Sequence, residues 1–269
     1  MPHPAKTGLA TGARTVAQAR RIVQSLARPA GDFNASRYFR GAETLGFYNV
    51  GTDTVRRVAR TVARDHEDTW TVHDALAFAD TLVKDRFLEV KGLGIETLAL
   101  FRCEFEPGLL PTFKRWLAAG HAANWATTDA VCGALIGPLL LKAPRLVREV
   151  RTWSRHPSLW VRRASAVSLI PCIRRGLALD AAYAVARTLH RDPEDLIQKA
   201  VGWMLREAGK ADAPRLDRYL RANGPRIPRV TVRYAIERFP ARKRLAFLAA
   251  TRAQSQGGVG RCTMPLEKA

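Results

Sequence analysis

The chain has 269 residues, 47% of them hydrophobic, which is enough for a sizeable core in one or two domains. Its charge is less ordinary: 44 Lys and Arg stand against 24 Asp and Glu, a net +20 spread along the chain. Such a field draws polyanions, nucleic acid first and an acidic membrane surface second, although an arginine-rich proteome would leave the same excess. The four cysteines, Cys103, Cys132, Cys172 and Cys262, have no close pairing of the kind a zinc site uses. They read as buried thiols in a reducing compartment. No signal-peptide core opens the chain, and the longest apolar run, Ala130 to Leu141, is too short for a bilayer and contains Pro138. The expectation is a soluble, cytoplasmic protein, at the nucleoid when bound to DNA, with no membrane partner.

In chain order, residues 1–12 are small and polar and are expected to be disordered. A first helix is predicted over Thr15–Arg28, closed by Pro29 and Gly31. The short aromatic stretch Ser36-Arg37-Tyr38-Phe39-Arg40 and the loop Gly46–Gly51 follow. From Thr52 a helix places Arg56, Arg57, Arg60 and Arg64 on one side and Val55, Val58 and Val62 on another; a basic face of this kind is usually a solvated one. Further helices are predicted over Val72–Arg86, Val90–Phe101, Pro111–Ala118, Asn124–Leu141, Pro144–Ser154, Leu159–Arg175, Asp180–His190, Glu194–Lys210, Ala213–Ala222, Thr231–Phe239 and Ala241–Arg252. The connections are short and rich in Pro, Gly, Asp and Asn, no alternating strand pattern intervenes, and residues 253–269 are expected to be a disordered tail.

The helices repeat. Those opening near Trp125, Trp160 and Asp195 are about 35 residues apart, each with a shorter partner. That period predicts an all-α fold: an α-solenoid of stacked antiparallel helix pairs, HEAT- or armadillo-like, forming a single domain over residues 13–252 with a concave basic face.

Residues with chemistry sit on these repeats. Trp125 and Asp129 are four apart and share one helical face. The aspartate reads either as a partly desolvated carboxylate partnered by Arg163 or as an ordinary helix-start acid facing the dipole. On Asp195–Lys210 the apolar stripe is Ile197, Ala200, Val201, Met204 and Ala208. Trp203 lies at its edge beside Lys199, Arg206 and Lys210. That arrangement suits stacking on nucleic acid with cations at the phosphates, but Trp203 alone reads more simply as a core residue with snorkelling neighbours. No Ser/His/Asp order or phosphate-binding glycine loop occurs, and Gly92-Leu-Gly94 lacks the third glycine of a dinucleotide site. One carboxylate between aromatic walls on a basic surface needs a substrate that is already activated.

Four ordered segments carry a resemblance: Asn124-Trp125-Ala-Thr-Thr-Asp129, His156-Pro-Ser-Leu-Trp160-Val-Arg-Arg163-Ala, Asp195 to Glu207 with Trp203, and Thr231 to Phe239. The chain resembles the AlkD-like DNA alkylation repair proteins, alkylpurine DNA glycosylases built from HEAT-like repeats, over roughly Arg37 to Phe239. The resemblance implies Asp129 as the catalytic carboxylate, Trp125 and Trp203 flanking the damaged nucleotide, and Arg163 near the carboxylate and the DNA backbone. It also implies that Tyr38 closes the cleft from the N-terminal helices. Arg162, Lys199, Arg206 and Lys210 are the further expected DNA contacts. The chain departs from the pattern at Ala126, where many relatives carry aspartate, and in lacking a proline after Val50.

The implied activity is monofunctional removal of cationic alkylated purines, 3-methyladenine and 7-methylguanine, from duplex DNA in base excision repair, by a monomer with no cofactor and no metal. A cationic base leaves without protonation, aromatic faces favour the cation, and a carboxylate stabilises the charge that moves to the sugar. Two other readings stand beside it: a non-catalytic HEAT-like module binding branched or bent DNA, and a protein-binding scaffold.

Overall fold

The computed structural model describes residues 5–31, 39 and 45–252. They are helical, with no strand among them, in the α-solenoid, HEAT-like class the repeat predicts. The chain divides into two compact units, residues 1–172 and 173–269.

The first unit opens with α1 (Ala5–Ser25), which begins ten residues before the predicted Thr15 start. The physical reason is the placement of prolines: after Pro4 none occurs until Pro29, so nothing forces a break. The helices α2 (Thr52–Asp65), α3 (Val72–Leu82) and α4 (Leu88–Leu100) follow. Val16, Ala19 and Val23 of α1 meet Val55, Val58 and Val62 of α2, Phe78 and Leu82 of α3, and Val90 and Leu93 of α4 in one core. The valine stripe of α2 is therefore buried as expected, and its arginines point outward. A capping box, Thr71 with Asp74, starts α3, and the bonds from Thr71 hold the Asp74 carboxyl below its usual range.

The next helix, α5 (Leu110–Ala118), buries Trp116, whose Nε1 donates to Asp80 Oδ1 at 2.7 Å. The following helical stretch is not uniform. It begins as α6 (Trp125–Ala130), widens into a π-helical turn over Val131–Ile136, and resumes as α7 (Gly137–Lys142). The α8 helix (Val147–Thr152) and α9 (Leu159–Val167) complete the unit. The predicted helix Leu159–Arg175 is in fact interrupted after Val167, and a short α10 (Ile170–Ile173) follows. Pro171 supplies the reason, since its ring cannot donate and crowds the carbonyl four residues back. The Pro171 ring also packs on Gly137, where an added Cβ would lie 2.9 Å from the Pro171 Cβ.

The second unit holds α11 (Leu179–Leu189), α12 (Asp195–Ala211), α13 (Ala213–Asn223), α14 (Arg229–Ala235) and α15 (Ala241–Arg252). The α12 and α14 helices approach closely at Gly202, where a Cβ would stand 2.8 Å from the Thr231 carbonyl oxygen. Thr231 Oγ1 donates to the Gln198 carbonyl at 2.9 Å. The expected stripe of α12, Ile197, Ala200, Val201, Met204 and Ala208, is buried.

The cysteines need one correction. Cys132 and Cys172 are buried, but Cys103 is exposed, because it sits in a 3-10 turn after α4 with no buried residue. Cys262 lies outside the described residues.

Candidate active site around Asp129

The site is built from the start of α6. Lys91 of α4 is buried, and its Nζ donates to the carbonyls of Val83 at 2.7 Å and His121 at 2.8 Å. It thereby ties the end of α3 to the loop that leads into α6. Burial lowers the Lys91 pKa, as an amine nucleophile would need, but both carbonyl bonds mark it as a strut. In the same loop Asn124 caps α6, its Oδ1 accepting from Thr127 N at 2.8 Å. Thr128 Oγ1 donates to the Ala122 carbonyl at 2.7 Å. These bonds fix the direction in which the first turn of α6 leaves the loop.

On that turn Asp129 receives Arg163 of α9 end-on. Arg163 Nε donates to Oδ1 and Nη2 to Oδ2, both at 2.8 Å. The two side chains are 18% and 7% exposed respectively. Burial pushes the Asp129 carboxyl above its usual range, against the opposing pull of the two Arg163 bonds. The bidentate pair fixes the carboxylate plane and leaves lone pairs on each oxygen for other donors. Of the two sequence readings of Asp129, the pairing with Arg163 is the one observed. Behind Asp129, Cys132 is fully buried, and burial pushes its thiol up to about 12, so it is inert as a nucleophile.

Trp125 is half-buried at the head of α6. The ring of Phe39 stacks on it, with centroids 5.4 Å apart and planes 5° from parallel, and Phe39 also packs on Phe47 at 5.2 Å. Tyr38, the aromatic expected from this region, lies outside the described residues. Phe39 stands in the aromatic stretch the sequence shows, but the resemblance gave the role to Tyr38, one position before it.

Asp129 also borders an open cleft of about 520 Å³ between α2, α4 and α6. Val55 and Ile95 give it apolar walls, and Ala126 and Ala130 a low side. At its rim Arg56 Nε donates to Glu96 at 3.0 Å. Glu89 lines it from the first turn of α4. Nothing in the sequence patterns singled out this cleft.

The remaining expected DNA contacts are engaged within the protein. Arg162 Nη1 donates to the carbonyls of His156 and Pro157, at 3.1 and 2.7 Å. In the second unit, Trp203 is half-buried on α12. Lys199 pairs with Asp195 at 2.6 Å, Arg206 with Glu237, and Lys210 with Glu207 at 2.8 Å. Glu207, only 2% exposed, also takes Arg174 at 3.1 Å. Its partners hold its carboxyl below the usual range although burial opposes them. These acids were missed because each cation was read with its aromatic neighbour rather than with the acids one turn or one helix away. Among the described residues no group of three or more His, Cys, Asp or Glu is placed to hold a metal ion.

Comparison with known proteins gives two findings. The model of the family described as "DNA alkylation repair enzyme" matches residues 20–239. A solved structure from Enterococcus faecalis, described as a predicted DNA alkylation repair enzyme, superposes with a TM-score of 0.65 at 14% identity, covering 85% of this chain and 96% of that one. At that identity the likeness shows the fold. No curated protein sequence matches significantly.

Proposed function

The chain belongs to the DNA alkylation repair enzyme family, and from that premise we propose that it is a monofunctional DNA glycosylase releasing cationic alkylated purines from duplex DNA. The observation that carries this reading is the Asp129 carboxylate. It is nearly buried, held in one orientation by Arg163, beside Trp125 and at the edge of an open cleft.

An N3-methyladenine or N7-methylguanine is positively charged in the duplex. When its C1′–N bond breaks, the electron pair passes to the base and cancels that charge, so no acid is needed at the leaving group. Positive charge gathers instead on the sugar. Asp129 stabilises it where water is scarce and the field is strong. A water oxygen then bonds to C1′, and its proton leaves through Asp129 to solvent. The products are a free base and an abasic site. Trp125, with Phe39 stacked on it, is an aromatic surface of the kind that favours a cation. Lys91 is occupied with two carbonyls, in keeping with hydrolysis rather than Schiff-base chemistry. Lys199 and Lys210, 41% and 47% exposed, are free enough to exchange a carboxylate for phosphate, whereas Arg163 serves Asp129.

The test is release of free 3-methyladenine or 7-methylguanine from methylated duplex DNA. Tight binding of such DNA with no base released would reject the glycosylase and favour the non-catalytic DNA-binding module.

A further inference from the structure

A second opening lies between α1 and α2 and shares no lining residue with the Asp129 cleft. Among the described residues it is an open trough of about 450 Å³. Thr15 Oγ1 of α1 lies 3.2 Å from His66 Nε2, just past the end of α2, and Arg28 N, after α1, donates at 2.9 Å to the Tyr48 carbonyl ahead of α2. These contacts set the two helices antiparallel. The trough follows them from Thr15 to Leu26 on one side and from Thr54 to His66 on the other, about three turns, or ~16–18 Å at ~1.5 Å per residue. A trough of that length between two helices has the form that a third helix fills.

Its floor is apolar. Ala19, Val58 and Val62 are buried, Ile22 is half-buried, and Leu26 at one end is 40% exposed. Its rims are basic. On α1 Arg14 and Arg21 stand about one turn to either side of Gln18, a lining residue, and the stretch Ala5–Ser25 holds no acid. On α2 Arg57 lines the trough, its Nη2 donating to Thr54 Oγ1 at 2.9 Å, and Arg64 stands about two turns further along the same side. All four arginines are exposed, and Asp65 is the only acid in the described lining.

We propose that this trough docks an acidic amphipathic helix of a partner protein, with its apolar side chains on Ile22, Leu26 and Val58 and its carboxylates against the arginines of the two rims. Recognition of a helix in a groove uses anchors at i, i+3 or i+4, and i+7, which three turns of floor accommodate. The apolar floor decides between polyanions. A duplex backbone would meet the arginines but gains nothing from covering Ile22 and Leu26, whereas an amphipathic helix removes both from water. The inference does not depend on the glycosylase reading.

The test titrates the full chain with a fluorescently labelled, helix-stabilised peptide carrying leucine at i, i+4 and i+7 between glutamates, followed by anisotropy. One control peptide has lysine for each glutamate, and another has the same residues with the leucines spread round the helix. The acidic amphipathic peptide is expected to bind at least about tenfold more tightly than either control, a difference of about 1.4 kcal/mol. Reversing the charge of one rim, Arg57→Glu with Arg64→Glu, should invert the preference between acidic and basic peptides. Leu26→Gln should weaken the acidic peptide about threefold or more. All three positions are exposed, so both variants should melt with the parent. No binding of the acidic peptide, equal binding of the control with scattered leucines, or full affinity in Leu26→Gln overturns the proposal. Unmodified duplex DNA is titrated in parallel. Unchanged duplex affinity in both variants supports a protein-docking face. Duplex affinity lost on charge reversal, with the acidic peptide still bound, marks a nucleic-acid surface and overturns the proposal.

Discussion

Arg163 meets Asp129 with two parallel hydrogen bonds of 2.8 Å, and 7% of one side chain and 18% of the other reach solvent. The two bonds set the plane of the carboxylate, and the lack of solvent strengthens whatever field it exerts. Asp129→Asn keeps the shape but loses the charge. Base release is expected to fall by about a hundredfold or more, the order seen when one preorganised electrostatic group is removed. Affinity for methylated duplex should change little. Single-turnover release and equilibrium binding on the same DNA separate the two, and undiminished release would remove Asp129 from the mechanism.

Truncating Arg163 tests the other half. Arg163→Leu strands a buried carboxylate, and breaking a pair of this kind costs about 3–5 kcal/mol. The loss should show as a lower denaturation midpoint in urea. Arg163→Lys restores charge but not the fork and should recover stability in part. Its base release should stay well below that of the parent, because the carboxylate plane is no longer fixed.

The pH profile follows from the direction of the Asp129 shift. Burial raises its carboxyl above the ordinary Asp value of 3.8, and only the ionised form stabilises the sugar cation. Activity is therefore lost as pH falls through this raised value, so the acid limb of base release should lie above 3.8 rather than at it. Folding equilibria respond in the opposite sense. A raised carboxyl contributes stability below its unfolded value, which is lost as pH rises through the folded one. Asp129→Asn should remove that dependence, and an acid limb at or below the ordinary value would contradict the burial of this carboxylate.

Periodicity carried the helices, because burial of one face repeats every turn and leaves its mark in Val55, Val58 and Val62 or in Ile197, Val201 and Met204. The Arg163–Asp129 pair was legible only as one of two readings of Asp129, since one repeat separates the two residues but a carboxylate near a helix start can equally face the dipole. Three features were not. The π-helical turn at Val131–Ile136 changes backbone register without changing the apolar pattern that identifies the helix. Phe39 reaches Trp125 across a span of chain over which spacing conveys nothing. The cleft beside Asp129 is lined by Gly92 and Gly133 and depends on what they do not touch, and absence of contact leaves no periodic trace. The acid partners of Lys199, Arg206 and Lys210 were hidden differently: a cation beside a tryptophan suggests a ligand until the geometry shows which carboxylate already holds it.

The Phe39–Trp125 stack offers its own test. Phe39→Leu preserves apolar volume but removes the parallel ring, a contact of about 0.5–1.5 kcal/mol beyond burial. The indole of Trp125 then loses its backing. Intrinsic tryptophan fluorescence should shift, and the KM for methylated duplex should rise severalfold with a smaller change in kcat, because ring orientation is a binding rather than a charge effect. A loss confined to kcat would argue against this positioning role.

His190 supplies a prediction about the second unit that is independent of the reaction. The residue is 7% exposed, Nε2 lies 2.6 Å from Tyr219 Oη, and Nδ1 is buried with no hydrogen-bond partner among the described residues. Burial lowers its pKa from 6.5 to about 4, and nearby Arg187 adds to the effect. The folded protein therefore binds fewer protons here than the unfolded chain between those values. The stability contributed by the neutral ring is complete above about 6.5 and is lost as pH falls toward 4. Thermal unfolding of the full chain should show a midpoint that declines across this interval. His190→Gln keeps a hydrogen-bonding partner for Tyr219 and cannot take up a proton, so its midpoint should decline less steeply over the same range. Parallel curves for parent and variant would mean that His190 is protonated as readily in the folded protein as in the unfolded chain, against its burial beneath Tyr219.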